Sequence, residues 1–253
     1  MTNNALAGLN VLITRPEPKA TQLAKLIQAE GGQAFVWPCI KILSGKDPVA
    51  TQSALHNLSS GTIAIFVSPN AVKFTFGADF SKAGIMWVAV GAGTAEALRQ
   101  RGCSPVYSPP QANSEAVLEL LLLQNVQGVS VVIFRGESGR ELIKETLERR
   151  GAKVSYVEAY QRVKPKFDSE KLHRAWQNQA FDLVISTSTE ALQNLLEQIV
   201  ALPANLRAKA ALTAMNEKML HLAIQNGFQP MLIDSAENMA LLSYLKRFWH
   251  ERQ

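Results

Sequence analysis

Chemistry in this chain has to come from a short set of residues. Two apolar runs, VLIT and VVIF, end in Arg15 and Arg135. Hydroxyl side chains at Ser68, Thr94, Ser114, Thr187 and Ser188 fall where helices are predicted to begin. Tyr160 stands in Glu158-Ala159-Tyr160-Gln161-Arg162, at the far end of a long predicted strand. Helix N-termini, with exposed N–H groups and a favourable dipole, receive carboxylates. Several of them facing one cleft would make a multi-anion site. Each hydroxyl is equally suited to capping its helix, which alone accounts for its position. A strand tyrosine is ordinarily packing, and what sets Tyr160 apart is where its strand leads.

Other chemistries find no footing. His56, His173, His221 and His250 show no ligand spacing, and no Ser-His-Asp or Cys-His pattern is present, so neither a metal nor covalent catalysis is expected. Cys39 and Cys103 are far apart without a CxxC partner, which fits a reducing cytosol and a cytoplasmic protein. Gly91-Ala92-Gly93 follows a predicted strand, but Glu96 holds the third glycine position and no acidic residue ends the next strand. That falls short of a dinucleotide fingerprint. A phospho-receiver needs acids at its first strand end, where Thr14 and Arg15 stand instead. The net charge of +5 with 19% charged residues, and a pI near 9.2, suits an acidic small molecule; no basic run marks a nucleic-acid partner. The stretch MTNNALAGLN lacks the basic and apolar regions of a signal peptide, and no apolar run reaches the roughly 20 residues of a membrane span.

The elements that must position these residues come in duplicate. Val11–Leu43 and Val131–Lys164 share one grammar: strand, turn, amphipathic helix, a glycine stop at Gly31 or Gly151, then a long strand. IAIFVSPNAVKF (63–74) parallels LVISTSTEALQN (183–194), and MWVAVGAGTAEALRQRGCSPVY (86–107) parallels AALTAMNEKMLHLAIQNGFQPML (210–232). Strands alternating with helices predict parallel, doubly wound sheets with ligands at the carboxyl ends of the strands. Pro16 is expected in the first turn of a helix, Ser68-Pro69 as N-cap and N1 of another. Ser114–Leu123 is expected as one helix capped by Asn113 or Ser114. Ala34–Leu43 and Val154–Lys164 are each expected as one strand of about ten residues, well beyond the usual five or six. Strands that outgrow their sheets are expected to pair with each other as a ribbon between domains, with Tyr160 on it.

The order of VLITRP, FVSPNAV, VGAGTAEAL and AYQR within this duplicated layout resembles the uroporphyrinogen-III synthase family over essentially the whole chain. The resemblance implies two flavodoxin-like doubly wound parallel-sheet α/β domains joined by a two-stranded β-ladder. Residues 1–38 and 167–253 would form one domain and 46–158 the other, with 39–45 and 159–166 as linker. It implies cyclisation of hydroxymethylbilane to uroporphyrinogen III with loss of water and inversion of ring D, in a cleft between the lobes. No cofactor or metal is expected; the enzyme would be a monomer of porphyrin and heme biosynthesis. The substrate's eight carboxylates suit a positive protein with several open helix N-termini. Tyr160 becomes the candidate general acid for the departing hydroxyl. Thr94, Thr187 and Ser188 become substrate-binding candidates, joined by Arg15, Ser68 and Arg135 at lobe mouths. The chain departs from the family pattern at Ser186–Thr189, which lacks a counterpart of Pro69, and at Ala214–Glu217. A two-lobed binding protein or sensor for an anionic small molecule is the alternative, separable by whether hydroxymethylbilane is converted or only bound.

Overall fold

The computed structural model of the chain describes residues 4–77, 83–179 and 181–253; the first three residues of the amino-terminal stretch considered above lie outside them. In chain order the elements are β1 (Asn10–Ile13), α1 (Lys19–Ala29), β2 (Gln33–Val36), β3 (Lys41–Ser44), α2 (Pro48–His56), β4 (Ile63–Phe66), α3 (Pro69–Thr75) and β5 (Met86–Ala89). Then follow α4 (Ala92–Arg99), β6 (Val106–Tyr107), α5 (Ser114–Leu118), a single 3-10 turn (Leu121–Leu123), β7 (Ser130–Gly136), α6 (Leu142–Arg149) and β8 (Lys153–Val163). The remainder is α7 (Ser169–Gln179), β9 (Leu183–Ile185), α8 (Thr189–Gln198), α9 (Ala204–Arg207), β10 (Ala211–Ala214), α10 (Glu217–Gln225), β11 (Gln229–Leu232) and α11 (Asn238–His250). No helix among the described residues is long and apolar enough to cross a membrane.

The chain forms two compact units, residues 1–41 with 163–253 and residues 42–162. The first is built on a five-stranded sheet in the order β11-β10-β9-β1-β2, and its strand pairs are parallel. Val11, Ile13, Leu183 and Ile185 on the sheet close over Leu23 and Ile27 of α1 and Leu241, Leu245 and Phe248 of α11. The second unit is built on a six-stranded sheet, β3-β8-β7-β4-β5-β6. Alternate residues of its central strand β4 feed opposite faces, as the two-residue period of a strand requires. Ala64 and Phe66 join the core over α3 and α4, while Ile63 and Ile65 join the core under α5 and α6. Phe66 and Phe134 stack with ring centroids 4.4 Å apart. Fully burying one such side chain contributes about 2–3 kcal/mol.

Several expectations hold at the level of single residues. Gly31 and Gly151 adopt φ of 85° and 84°, the left-handed conformation that ends α1 and α6. Ser68 caps α3 with Pro69 in its first turn.

Others need correcting. The predicted strand Ala34–Leu43 is two strands broken at Trp37–Ile40. Pro38 has no N–H to give to a ladder. Its neighbours stay with the first sheet, Trp37 N–H donating to the Ile13 carbonyl and Cys39 N–H to that of Thr14. Beyond the break, β3 lies beside β8 in the other sheet. The second long strand, by contrast, runs unbroken through eleven residues. Pro16 precedes α1, which starts at Lys19 with Pro18 in the cap position: Pro16 and Pro18 have no N–H to donate, and their carbonyls accept from Ala20 and Gln22 of the first turns. The predicted helix Ser114–Leu123 stops at Leu118, where Glu119 ends it and a tighter turn takes over.

Candidate active site

The carboxyl ends of β4, β5, β7 and β8 surround a cavity of about 450 Å³ within residues 42–162. That volume lies in the range of small-molecule sites. Ser68, Arg135, Tyr156, Tyr160, Arg140 and Arg162 are among its walls. Tyr156 packs against the core under α5 and α6 and Tyr160 in the core over α3 and α4, because the register shift after Glu158 interrupts the alternation of β8; both still reach the cavity.

Tyr160 is 5% exposed; its ring packs in the core with Phe66 and Phe134, and it also lines the cavity. Two features hold it there. A register shift between Arg135 and Gly136 sets Gly136 opposite Tyr160, and a Cβ on Gly136 would stand 3.0 Å from ring atoms Cε2 and Cζ. Glycine therefore lets the phenol rest on bare backbone. Ser68 supplies the second support. Its Oγ accepts from Ala71 N–H at 3.2 Å as the N-cap of α3 and donates to the Tyr160 hydroxyl at 3.2 Å. Because Tyr160 accepts from Ser68, its own proton is left to be given elsewhere.

Arg135, 6% exposed, is held on three sides. Nη1 donates to Glu141 Oε1 at 2.8 Å, the guanidinium lies 4.4 Å over the Tyr156 ring, and the Gly139 backbone backs against Nη2. The Tyr156 hydroxyl donates to Glu141 Oε2 at 2.7 Å. That bond, then Arg135, holds the Glu141 carboxyl below its ordinary range. Burial, then the same bond to Glu141, pushes the Tyr156 phenol up to about 12. A second ion pair sits nearby: Arg140 grips Glu115 of α5 through Nη1 at 3.1 Å and Nη2 at 2.5 Å, and this bond depresses the Glu115 carboxyl. The cavity thus offers arginines and tyrosines to an anionic guest, with two arginines already facing glutamates.

The remaining expected site residues are placed as follows. Thr94 is the third residue of α4, whose N-cap is Gly91, and it is 4% exposed. Ser114 opens α5, while Asn113 provides the cap at 2.7 Å. Ser188 caps α8 through Ala191 N–H at 3.2 Å, and Thr187 is half-exposed in the turn just before it. Arg15 is 2% exposed at the end of β1 and donates at 2.6 Å to both Asn238 Oδ1 and the Ala236 carbonyl, clasping the start of α11; burial lowers its pKa. The structure therefore brings Ser68, Arg135 and Tyr160 together in one cavity and leaves Thr94 off its walls, with Arg15, Thr187 and Ser188 in the other compact unit. Tyr156, Glu141 and Arg162 escaped the reading of the sequence. The two-residue spacing from Tyr160 was the available signal for Arg162; the register shift denied any such signal to Tyr156, and Glu141 reaches its partners only through tertiary folding.

Fold and site together define an α/β protein with parallel sheets and a basic, tyrosine-bearing cavity at the carboxyl ends of its strands. A family model described as uroporphyrinogen-III synthase HemD matches residues 21–242, and the chain belongs to that family. Uroporphyrinogen-III synthase of Salmonella typhimurium is 33% identical over 250 residues, covering 94% of this chain and 100% of the relative. That of Escherichia coli is 31% identical over the same shares. A mutant uroporphyrinogen III synthase of Thermus thermophilus superposes with a TM-score of 0.61 at 17% identity, over 97% of this chain and 100% of that one. The Helicobacter pylori enzyme gives 0.53 at 10% identity, over 95% and 99%. At such identities these two likenesses bear on the fold alone.

Proposed function

We propose that the chain is a cyclising lyase that converts hydroxymethylbilane to uroporphyrinogen III, with Tyr160 as the general acid. Family membership supports the reaction. The observation that carries the site is the Tyr160 hydroxyl, accepting from Ser68 at 3.2 Å beside a cavity that Arg135, Arg140 and Arg162 also line. In this reading the phenol proton passes to the terminal hydroxyl of the bilane. The C–O bond breaks, water leaves, and the azafulvene so formed is attacked through the substituted carbon of ring D. That carbon carries no hydrogen, so the pyrrole regains aromaticity only when its bond to the methylene leading to ring C breaks. The methylene is then recaptured at the unsubstituted α-carbon of ring D, which inverts the ring, and the proton displaced there returns to the phenolate. Spontaneous closure gives the uninverted isomer, so positioning and exclusion of water matter as much as proton transfer. Arginines would grip carboxylates of the substrate, and the helix N-termini of α3 and α5 would add N–H donors.

Arg15, Thr94, Thr187 and Ser188 remain proposed substrate contacts, with residues 39–45 and 159–166 as the two-stranded link between domains 1–38 with 167–253 and 46–158. The enzyme would work as a cytoplasmic monomer; light scattering should return a mass near 27.7 kDa. The deciding experiment incubates the protein with hydroxymethylbilane and separates the oxidised products by isomer. Predominant isomer III is expected. Isomer I alone, at the uncatalysed rate, would overturn the proposal, and binding without conversion would point to a sensor.

A further inference from the structure

We infer that Arg135 and Tyr156 form a clamp for one substrate carboxylate, and that Glu141 fills this clamp in the free protein as a built-in competitor. The inference rests on the reaction proposed above and goes beyond it, to a binding residue and an internal rival that the reaction does not require.

The clamp is displayed with a carboxylate in it. Donors from neighbouring strands converge on the two oxygens of one group: Arg135 Nη1 on Oε1 at 2.8 Å and the Tyr156 hydroxyl on Oε2 at 2.7 Å. Such charge-assisted pairs are the strong ones, and their spacing selects a planar carboxylate. The two partners differ in freedom. The Arg135 side chain is 8% exposed and that of Glu141 50%, so the cation is fixed while the anion stands at the surface. No local duty explains the position of Glu141. It occupies the N-cap position of α6 yet makes no capping bond, its carboxylate reaching out to the clamp instead. Lys144 lies 5.0 Å over the Tyr156 ring, so the place that Glu141 vacates is left strongly positive. A buried arginine without an anion is costly, and a resident glutamate removes that cost until substrate arrives. Binding is then an exchange of carboxylates, which penalises ligands too weakly charged to evict Glu141.

The test measures KM for hydroxymethylbilane and Kd for uroporphyrin III, a stable octacarboxylate, by fluorescence. Glu141→Gln keeps the shape and removes the rival charge; both constants should fall about three- to tenfold. Tyr156→Phe removes one jaw and should raise both by about tenfold. Thermal melts of the two variants establish that each is folded. A Glu141→Gln protein with unchanged or weaker binding would overturn the inference, because the glutamate would then only brace Arg135. A wild-type protein that fails to make isomer III defeats the proposed reaction instead; one that makes it, beside an unmoved Glu141→Gln, defeats the clamp alone.

Discussion

The Tyr160 hydroxyl has one neighbour whose contribution can be separated from its own. Tyr160→Phe deletes the proposed acid and leaves the ring packed on Gly136, so stability should change by only about 1 kcal/mol. Turnover should drop on the order of a hundred- to ten-thousand-fold, the usual span for general acid catalysis. Steady-state assays beside urea unfolding check both halves, and unaltered turnover would leave positioning as the whole mechanism. The thiols make a second residue-scale case. Burial pushes Cys39 and Cys103 up to about 12 from 9.0. In the unfolded chain they ionise near 9, so the unfolded state sheds protons that the native state keeps, and stability is lost as pH rises above about 9. Unfolding between pH 8 and 11 should grow easier, and less so in a Cys103→Ala variant; a thiol reagent at pH 8 should label neither cysteine until denaturant is added.

Among the elements, two helices offer a matched comparison. Ser68 caps α3 and Ser188 caps α8, each accepting at 3.2 Å from the N–H three residues on. Either serine to alanine should cost about 1 kcal/mol of stability. Only Ser68 also touches Tyr160, so only Ser68→Ala is expected to lower turnover beyond what lost stability explains; equal activity losses would detach Ser68 from the site. Helix starts such as Ser68-Pro69 were legible because capping is local chemistry. So were the strands, whose apolar runs declare burial on both faces. The break after β2 was not, because Ala34–Leu43 has strand composition throughout, and no local preference says that its two halves serve different sheets. At the site, Tyr160 stood out through its place on a long strand. Tyr156 did not, because its meaning depends on Glu141, fifteen residues away and brought alongside only by the packing of α6 on the sheet.

At the scale of the whole molecule, the duplicated βαβ opening announced two parallel-sheet α/β units, and both sheets are present. Which segments share a sheet was beyond local signals. The sequence repeat divides the chain in the middle, whereas β1 pairs with β9, Val11 standing opposite Leu183. Only the burial of a common core decides such a partnership. That pairing has a temporal consequence. Residues 42–162 contain every strand of their sheet apart from its end residues Lys41 and Val163. During synthesis this unit has all its partners while β9, β10 and β11 are still untranslated. Strands β1 and β2 with α1 must wait on the ribosome for strands encoded more than a hundred codons downstream, so the sheet begun earlier in synthesis is finished only after the other is complete.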